Sequence, residues 1–184
     1  LAASLGSALT NMVGNLTFGK KEYEELPQDI KDKIKTNFEY LKEKTEVLQK
    51  IVDEDSKAFD GVMSAFKMPK NTKEEKGLRS KAIQEGYKEA LEVPLRCAEE
   101  CVQVLELQEI FAHHGNINAI TDVGVGALLA YSGLEGALLN VRINLLSIKD
   151  EIYREDIENK VTTLLNKGEV LKEKLMKIVY KRLR

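Results

Sequence analysis

The sequence predicts an all-α fold, an elongated bundle of about five long helices, and three observations support this class. Leu, Ala, Glu and Lys dominate the 184 residues, with only 3 Pro and no Trp, a composition that favours helices and largely excludes sheet folds. Apolar residues recur at helical spacing over long segments. Strong breakers are confined to Gly19, Pro27, the region around Pro69 and Gly115–Asn118. We therefore expect a single helical domain over residues 1–184.

The charge balance and the cysteines narrow the class of protein further. The 28 Lys and Arg residues nearly balance the 30 Asp and Glu residues, for a net charge of -2, so neither a nucleic acid nor a membrane is expected as partner. Cys97 and Cys101 are four residues apart without the further ligands of a zinc site. We expect reduced thiols, no metal, no prosthetic group and a cytoplasmic protein. Residues 1–19 are uncharged but too polar for a membrane span.

The first two helices are predicted over residues 1–18 and 28–68. The first is rich in Ala, Ser and Gly, and because small side chains let a neighbouring backbone approach closely, we expect it in the centre of the bundle. The second begins after Pro27 and carries an apolar stripe with alternating steps of four and three residues. The stripe consists of Ile34, Phe38, Leu41, Thr45, Leu48, Val52, Asp55, Phe59, Val62 and Phe66.

Three further helices are expected over residues 72–114, 119–148 and 150–184. Thr72 begins a capping-box pattern at the start of the third helix, and Pro94 is expected to bend it. The fourth helix is nearly uncharged and contains four glycines, so we expect it to be the most buried element. Its wide apolar surface also predicts a homodimer. The fifth helix repeats apolar residues in the same steps as the second.

Asp55 is the leading candidate for a catalytic residue, because it is the one carboxylate on the apolar stripe. A carboxylate on a core-facing side costs several kcal/mol unless it is paired, hydrogen-bonded, protonated or next to a wet cavity. The alternative interpretations are a buried cation as partner, or a stripe that drifts and leaves the carboxylate at the surface. Asp53 lies one step off the stripe and is expected at the surface.

Polar residues on other segments are weaker candidates for a binding site. Asp122, Asn140 and Asn144 share a face of the fourth helix with its glycines, which fits either the wall of a flat pocket or close helix packing. Lys70 lies next to a helix N-terminus, and Lys20 follows the uncharged first helix; each fits an anionic ligand or a solvated turn. Neither a nucleotide-binding glycine motif nor a serine-hydrolase motif occurs.

Three stretches of the sequence resemble the cyclodeaminase/cyclohydrolase family of folate enzymes, and the resemblance covers nearly the whole chain. They are SLGSALTNMVGNLTFGKK at 4–21, VDEDSKAFD at 52–60 continuing to MPKNTKEEK at 68–76, and GNINAITDVGVG at 115–126 with GALLNVRINL at 136–145. The family usually has a glycine-rich turn before the first stretch, and the sequence starts at Leu1 without it. We therefore expect the N-terminus to lack part of the site. Thr121 stands where the family commonly has serine.

The resemblance implies a homodimer that converts 5-formimidoyltetrahydrofolate to 5,10-methenyltetrahydrofolate and releases ammonia. It places the catalytic acid in the motif Asp-x-x-Ala-Phe, which is found at 55–59. We expect Asp55 to take the proton of N10 and return it to the departing amine, a role that a raised pKa from partial burial would suit. The substrate-binding residues implied are Asp122, Asn140 and Asn144 for the pterin ring, and Lys70, Lys20 and Arg142 for a glutamate tail of one or several residues.

Two alternatives to this function stay open. Within the family, a methenyltetrahydrofolate cyclohydrolase acts on a substrate that differs at a single carbon, and its pocket would use the same residues. From a different class, the chain could be a non-catalytic helical scaffold or a folate-binding module. No transferase half is recognised in the sequence, so a separate formimidoyltransferase is a candidate partner, and histidine breakdown is implied only through the family.

Overall fold

The computed structural model describes all 184 residues and consists of helices joined by short turns. Its α-helices are α1 (Ala2–Thr17), α2 (Lys21–Glu24), α3 (Gln28–Phe66), α4 (Lys73–His114), α5 (Ile120–Leu145) and α6 (Glu151–Arg182), with a 3₁₀ turn at Ile117–Ala119. The all-α prediction is confirmed. The five long helices agree with the predicted ones to within a few residues at each end, and the short α2 is the α-helix that the sequence analysis missed.

The longest helices, α3 and α4, have 39 and 42 residues and run antiparallel to each other. The predicted capping box starts α4: Thr72 Oγ1 accepts a hydrogen bond from the Glu75 N–H at 3.1 Å, and the Glu75 carboxylate accepts one from the Thr72 N–H at 3.1 Å. That carboxylate also accepts from the Asn71 N–H at 2.7 Å. The helix continues through Pro94 without interruption.

Helix α1 packs against α3, α4 and α5, in the central position that its small residues predict. Three of its polar side chains donate hydrogen bonds to backbone carbonyls of α3: Ser4 to Thr45 at 3.2 Å, Ser7 to Leu41 at 2.7 Å and Asn11 to Phe38 at 2.7 Å. The order of these pairs shows that the two helices are antiparallel. On its other side α1 lies backbone to backbone against α5, at Gly6 and Gly126.

Helix α5 packs against α1, α4 and α6, but it is buried on one side only. The prediction that it is the most buried element is therefore only partly right. Its exposed side and the neighbouring side of α1 form an apolar surface, the α1–α5 face, which consists of Leu5, Met12, Leu16, Val125 and Leu128. Residues Ile117–Leu145 are long and apolar enough for a membrane span, a property that core helices of soluble proteins share, and 44% of the relevant window is buried.

Helix α6 covers α4 and α5 and is held at both ends. At its start, the Asp150 carboxylate accepts a hydrogen bond from the Tyr153 N–H at 3.1 Å. At its end, the Arg182 guanidinium donates to the carbonyls of Ala112 at 2.8 Å and Gly115 at 2.7 Å, which satisfies acceptors that the last turn of α4 leaves free. Its predicted apolar stripe is buried at Ile157, Val161, Gly168 and Leu175.

Candidate functional site

The apolar stripe of α3 leaves the core near the middle of the helix. Leu48 and Val62 are buried, but Asp55 between them is exposed. Helix α1 reaches along α3 only as far as the hydrogen bond of Ser4 to Thr45, so further along α3 it no longer covers this side, and Val52 and Asp55 are exposed. The expectation that Asp55 faces the core is therefore wrong for the single chain. The apolar stripe of α3 continues past Thr45, but α1, which covers the stripe up to that point, does not extend further.

Asp55 lies where two open cavities meet. The first, called the glycine cavity, measures about 350 Å³ and is lined by parts of α1, α3, α4 and α5 that include Pro94, Cys97, Gly133 and Gly136. The second, called the aromatic cavity, measures about 440 Å³ and is lined by residues that include Phe59, Tyr87, Asn144 and Ser147. Asp55 and Asn140 line both cavities. Together the two cavities form a groove with a carboxylate at its centre.

The α5 wall of this groove presents bare backbone and two amides. A Cβ added at Gly136 would meet no atom within 4 Å, so this residue faces open space in the glycine cavity. One turn further along, Asn144 Nδ2 donates a long hydrogen bond of 3.4 Å to Asn140 Oδ1. The Nδ2 of Asn140 and the Oδ1 of Asn144 have no partner in the chain and can bind the polar edge of a ligand.

The Asp55 carboxylate has neither an ion-pair partner nor a hydrogen-bond partner in the chain. Two cations of α3 and α4 pair with other carboxylates, since Arg96 pairs with Glu54 and Lys44 pairs with Glu100. The wall next to Asp55 in the glycine cavity is apolar and includes Leu48, Ile51 and Val52. Both carboxylate oxygens are therefore available to accept and return protons.

Cys97 also lines the glycine cavity, and Cys101 is buried one turn further along α4. Both thiols are free. A hydrogen bond from Cys101 lowers the pKa of the Cys97 thiol, while the same contact and burial raise the pKa of Cys101. Cys97 is thus the more reactive thiol. The spacing of the two cysteines in the sequence does not distinguish them, since it does not show that only one of them reaches a cavity.

The structure brings three of the predicted binding residues to the groove or next to it. Asn140 and Asn144 line it together with Asp55. Arg142 lies in a third cavity that adjoins the aromatic cavity, and its guanidinium pairs with Glu158 at 2.7 Å. These positions agree with a substrate-binding role, which stays a prediction.

The other three predicted binding residues lie away from Asp55 within one chain. Asp122 is in the first turn of α5, about 27 Å along the helix axis from Asn140. Lys20 lies beyond the C-terminal end of α1 and lines a separate pocket. Lys70 lies in the turn between α3 and α4, where free N–H groups already bind the Glu75 carboxylate. The expectation of a single pocket that includes all six residues is thus not met in one chain.

Two further residues at or next to the groove have no signal in the sequence. Tyr87 of α4 lines the aromatic cavity together with Phe59 of α3, although 28 positions separate them in the sequence. Arg154 of α6 lines the third cavity with Arg142. Neither residue belongs to a stretch that carries the family resemblance, and only the packing of the helices brings them to the site.

Comparisons with known proteins show which family shares this fold. Residues 1–163 match the family described as formiminotransferase-cyclodeaminase. A methenyltetrahydrofolate cyclohydrolase from Methylorubrum extorquens is 40% identical over 183 residues, which cover 97% of this chain and 84% of that protein. A formimidoyltransferase-cyclodeaminase from Gallus gallus is 38% identical over 167 residues, which cover 91% of this chain but only 30% of that much longer protein.

A solved structure agrees with the sequence comparisons. The formiminotetrahydrofolate cyclodeaminase from Thermotoga maritima has a TM-score of 0.84 and 25% identity, covering 100% of this chain and 85% of that chain. Fold and similarity together define an all-helical enzyme of folate one-carbon chemistry. The chain belongs to the formiminotransferase-cyclodeaminase family, which confirms the resemblance found in the sequence.

Proposed function

We propose that the protein closes the bridge between N5 and N10 of 5-formimidoyltetrahydrofolate, forming 5,10-methenyltetrahydrofolate and ammonia. The observation that supports this proposal is the unpaired carboxylate of Asp55 at the junction of two cavities. A reduced folate has its reactive bridge between two ring systems. A carboxylate at the centre of a two-part groove can therefore reach the bridge while each ring occupies one part.

The reaction needs a group that moves protons more than it needs a strong nucleophile. N10 and the formimidoyl carbon on N5 belong to the same molecule, so the reacting atoms are already close. As the bond from N10 to this carbon forms, Asp55 accepts the N10 proton and passes it to the amino nitrogen. The bond from carbon to that nitrogen then breaks and ammonia leaves. The positive charge of the protonated formimidoyl group becomes the charge of the methenyl bridge, so atoms and charge balance.

A second candidate reaction is the hydrolysis of 5,10-methenyltetrahydrofolate to the 10-formyl compound. It is favoured by the similarity to the Methylorubrum extorquens cyclohydrolase, which has the higher identity and coverage of the two relatives described above. In that reaction a water molecule adds to the bridge carbon, and Asp55 would accept the proton of the attacking water. The groove and the position of the carboxylate would serve either reaction.

An anaerobic assay with each substrate separates the candidates. With 5-formimidoyltetrahydrofolate, a cyclodeaminase yields methenyl product and ammonia in equal amounts. With 5,10-methenyltetrahydrofolate, a cyclohydrolase removes the methenyl absorbance and releases no ammonia. Turnover of the second substrate alone would replace the first proposal by the second. Folate binding without turnover of either substrate would indicate a binding module.

We also propose that two copies of the chain pair through the α1–α5 face. Helix α1 has no charged residue, and the face consists of large exposed apolar side chains. Patches of this kind usually mark interaction surfaces, and a second copy presents the same patch, as a twofold dimer requires. Light scattering at micromolar concentration should give twice the chain mass of 20.7 kDa. A mass of one chain would contradict the dimer.

A further inference from the structure

A third cavity adjoins the aromatic cavity. It measures about 360 Å³, and its polar lining residues are Arg142, Arg154 and Glu158; we call it the arginine cavity. It shares Ile143 and Leu146 with the aromatic cavity, just as the aromatic cavity shares Asp55 and Asn140 with the glycine cavity. The aromatic cavity therefore adjoins both of the others, and the arginine cavity lies beside it at the same level of α5, around residues 139–146.

Positively charged side chains line only one of the three cavities. The glycine cavity and the aromatic cavity are lined by no Lys or Arg, whereas the arginine cavity has two arginines. Arg142 is already engaged, since it donates to Glu158 from Nε at 3.1 Å and from Nη2 at 2.7 Å. The Arg154 guanidinium has no hydrogen-bond or ion-pair partner in the chain. It is thus a free anion-binding group in the cavity next to the aromatic cavity.

We propose that Arg154 binds the carboxylates of a glutamate tail and thereby fixes the direction of the folate in the groove. This inference rests on the proposed function, which supplies a folate as the ligand. A guanidinium binds carboxylates in a fork geometry that suits such a tail. Each further glutamate adds a carboxylate, so we expect a folate with a longer tail to bind this cavity more tightly than a folate with a single glutamate.

The direction of the tail determines which cavity each ring system of the folate occupies. The tail leaves the aminobenzoyl ring on the side opposite to the pterin, so a tail at Arg154 puts the aminobenzoyl ring in the aromatic cavity, beside Phe59 and Tyr87. The pterin then lies in the glycine cavity, against Gly136. The bridge atoms N5 and N10 come to the junction of the cavities at Asp55. In this arrangement Asn144 faces the aminobenzoyl part and not the pterin ring.

Equilibrium binding of 5-formyltetrahydrofolate with one or three glutamates tests the assignment without requiring turnover. The variant is Arg154→Gln. The matched control is Arg184→Gln, which makes the same charge change beyond the other end of α6, about 45 Å away. We expect the triglutamate to bind about 5-fold more tightly than the monoglutamate to the unaltered chain and to the control. In Arg154→Gln this ratio should fall to about 1.

The outcomes distinguish this inference from the proposed function. If Arg154→Gln keeps the full ratio, or if the unaltered chain binds both forms equally, the assignment of Arg154 is overturned while folate binding stands. If the unaltered chain binds neither form and turns over neither folate substrate, the proposed function itself fails, and the tail site fails with it. If added salt lowers the preference for the triglutamate in the unaltered chain but not in Arg154→Gln, this would support the charge interaction at Arg154.

Discussion

Gly6 of α1 and Gly126 of α5 lie so close that neither position has room for a side chain. A Cβ added at Gly6 would come within 2.5 Å of the Gly126 carbonyl oxygen, and one added at Gly126 would come within 2.8 Å of the Gly6 carbonyl oxygen. The buried Gln108 of α4 joins this crossing, donating from Nε2 to Thr10 Oγ1 at 2.9 Å and to the Gly6 carbonyl at 3.3 Å. This contact among three helices positions the start of α1, which lines the glycine cavity.

Replacing Gly6 by alanine should therefore destabilise the fold. The added methyl group meets backbone that cannot rotate away, and such overpacking costs about 1–3 kcal/mol. Urea denaturation followed by circular dichroism measures the change. The control is Gly77→Ala in α4, where an added Cβ meets nothing within 4 Å. This variant should gain roughly 0.5–1 kcal/mol from the better helix propensity of alanine. Equal stabilities for the two variants would contradict the tight crossing.

Asp55→Asn should lower turnover by roughly 100-fold or more while the protein stays folded, because the amide cannot accept and return the proton. Asp53→Asn is the matched control, since Asp53 is exposed on the same turn and does not line the groove. Steady-state kinetics with the active substrate measure both variants. The same rate in both variants would remove Asp55 from the mechanism.

Gly136→Ala tests whether a planar ring packs on the bare backbone of α5. The added Cβ has free space in the empty groove, so this variant should be at least as stable as the unaltered chain, like Gly77→Ala. If the pterin lies on this wall, however, the methyl group displaces it, and we expect KM to rise by about 10-fold. An unchanged KM together with the expected gain in stability would exclude ring packing at Gly136.

Cys97 should react with iodoacetamide before Cys101 does. Its lowered pKa gives it a larger thiolate fraction at pH 7 than an ordinary cysteine has, whereas the pKa of Cys101 is raised. Peptide mass spectrometry identifies the modified residue. Because Cys97 lines the glycine cavity, alkylation should abolish turnover, and a bound folate should slow the reaction. Equal labelling of both cysteines with no protection by folate would contradict this placement.

The carboxylate of Asp150 should contribute stability that depends on pH. The hydrogen bond from the Tyr153 N–H and the contact with Lys88 lower its pKa in the folded chain. A lowered folded pKa stabilises the fold above the unfolded value of 3.8, and this contribution disappears as the pH falls through the folded pKa. Asp150→Asn keeps the cap but does not titrate. Urea midpoints should therefore differ between the two proteins at pH 7 and converge as the pH falls below the folded pKa of Asp150. A constant difference would contradict the prediction.

The sequence predicts the helices well because their signals are local. The capping box at Thr72, the breakers at Pro27 and Gly115 and the apolar steps of α3 and α6 each act within a few residues, and they predict where the long helices begin and end. The family resemblance singled out Asp55 independently of the fold. Local signals thus account for the architecture and for the leading candidate of the site.

The surroundings of the site depend on distant contacts, which local patterns do not contain. Periodicity assigns Asp55 to a side of α3, but it does not show that α1 covers this side only as far as Thr45. A shared helix face likewise groups Asp122 with Asn140, although several turns of α5 separate them. The free guanidinium of Arg154 becomes visible only when α6 has packed beside α5.

The three hydrogen bonds from α1 to the carbonyls of α3 fix the position of α1 along the axis of α3. Ser4, Ser7 and Asn11 bind carbonyls on successive turns of α3. A shift of α1 along α3 by part of a turn, which rises about 5.4 Å, would break all three hydrogen bonds at once. The start of α1, which forms part of the glycine cavity, is therefore held at a fixed distance from Asp55. The length of the groove is therefore set before any ligand binds, and we expect the groove to select ligands by their length.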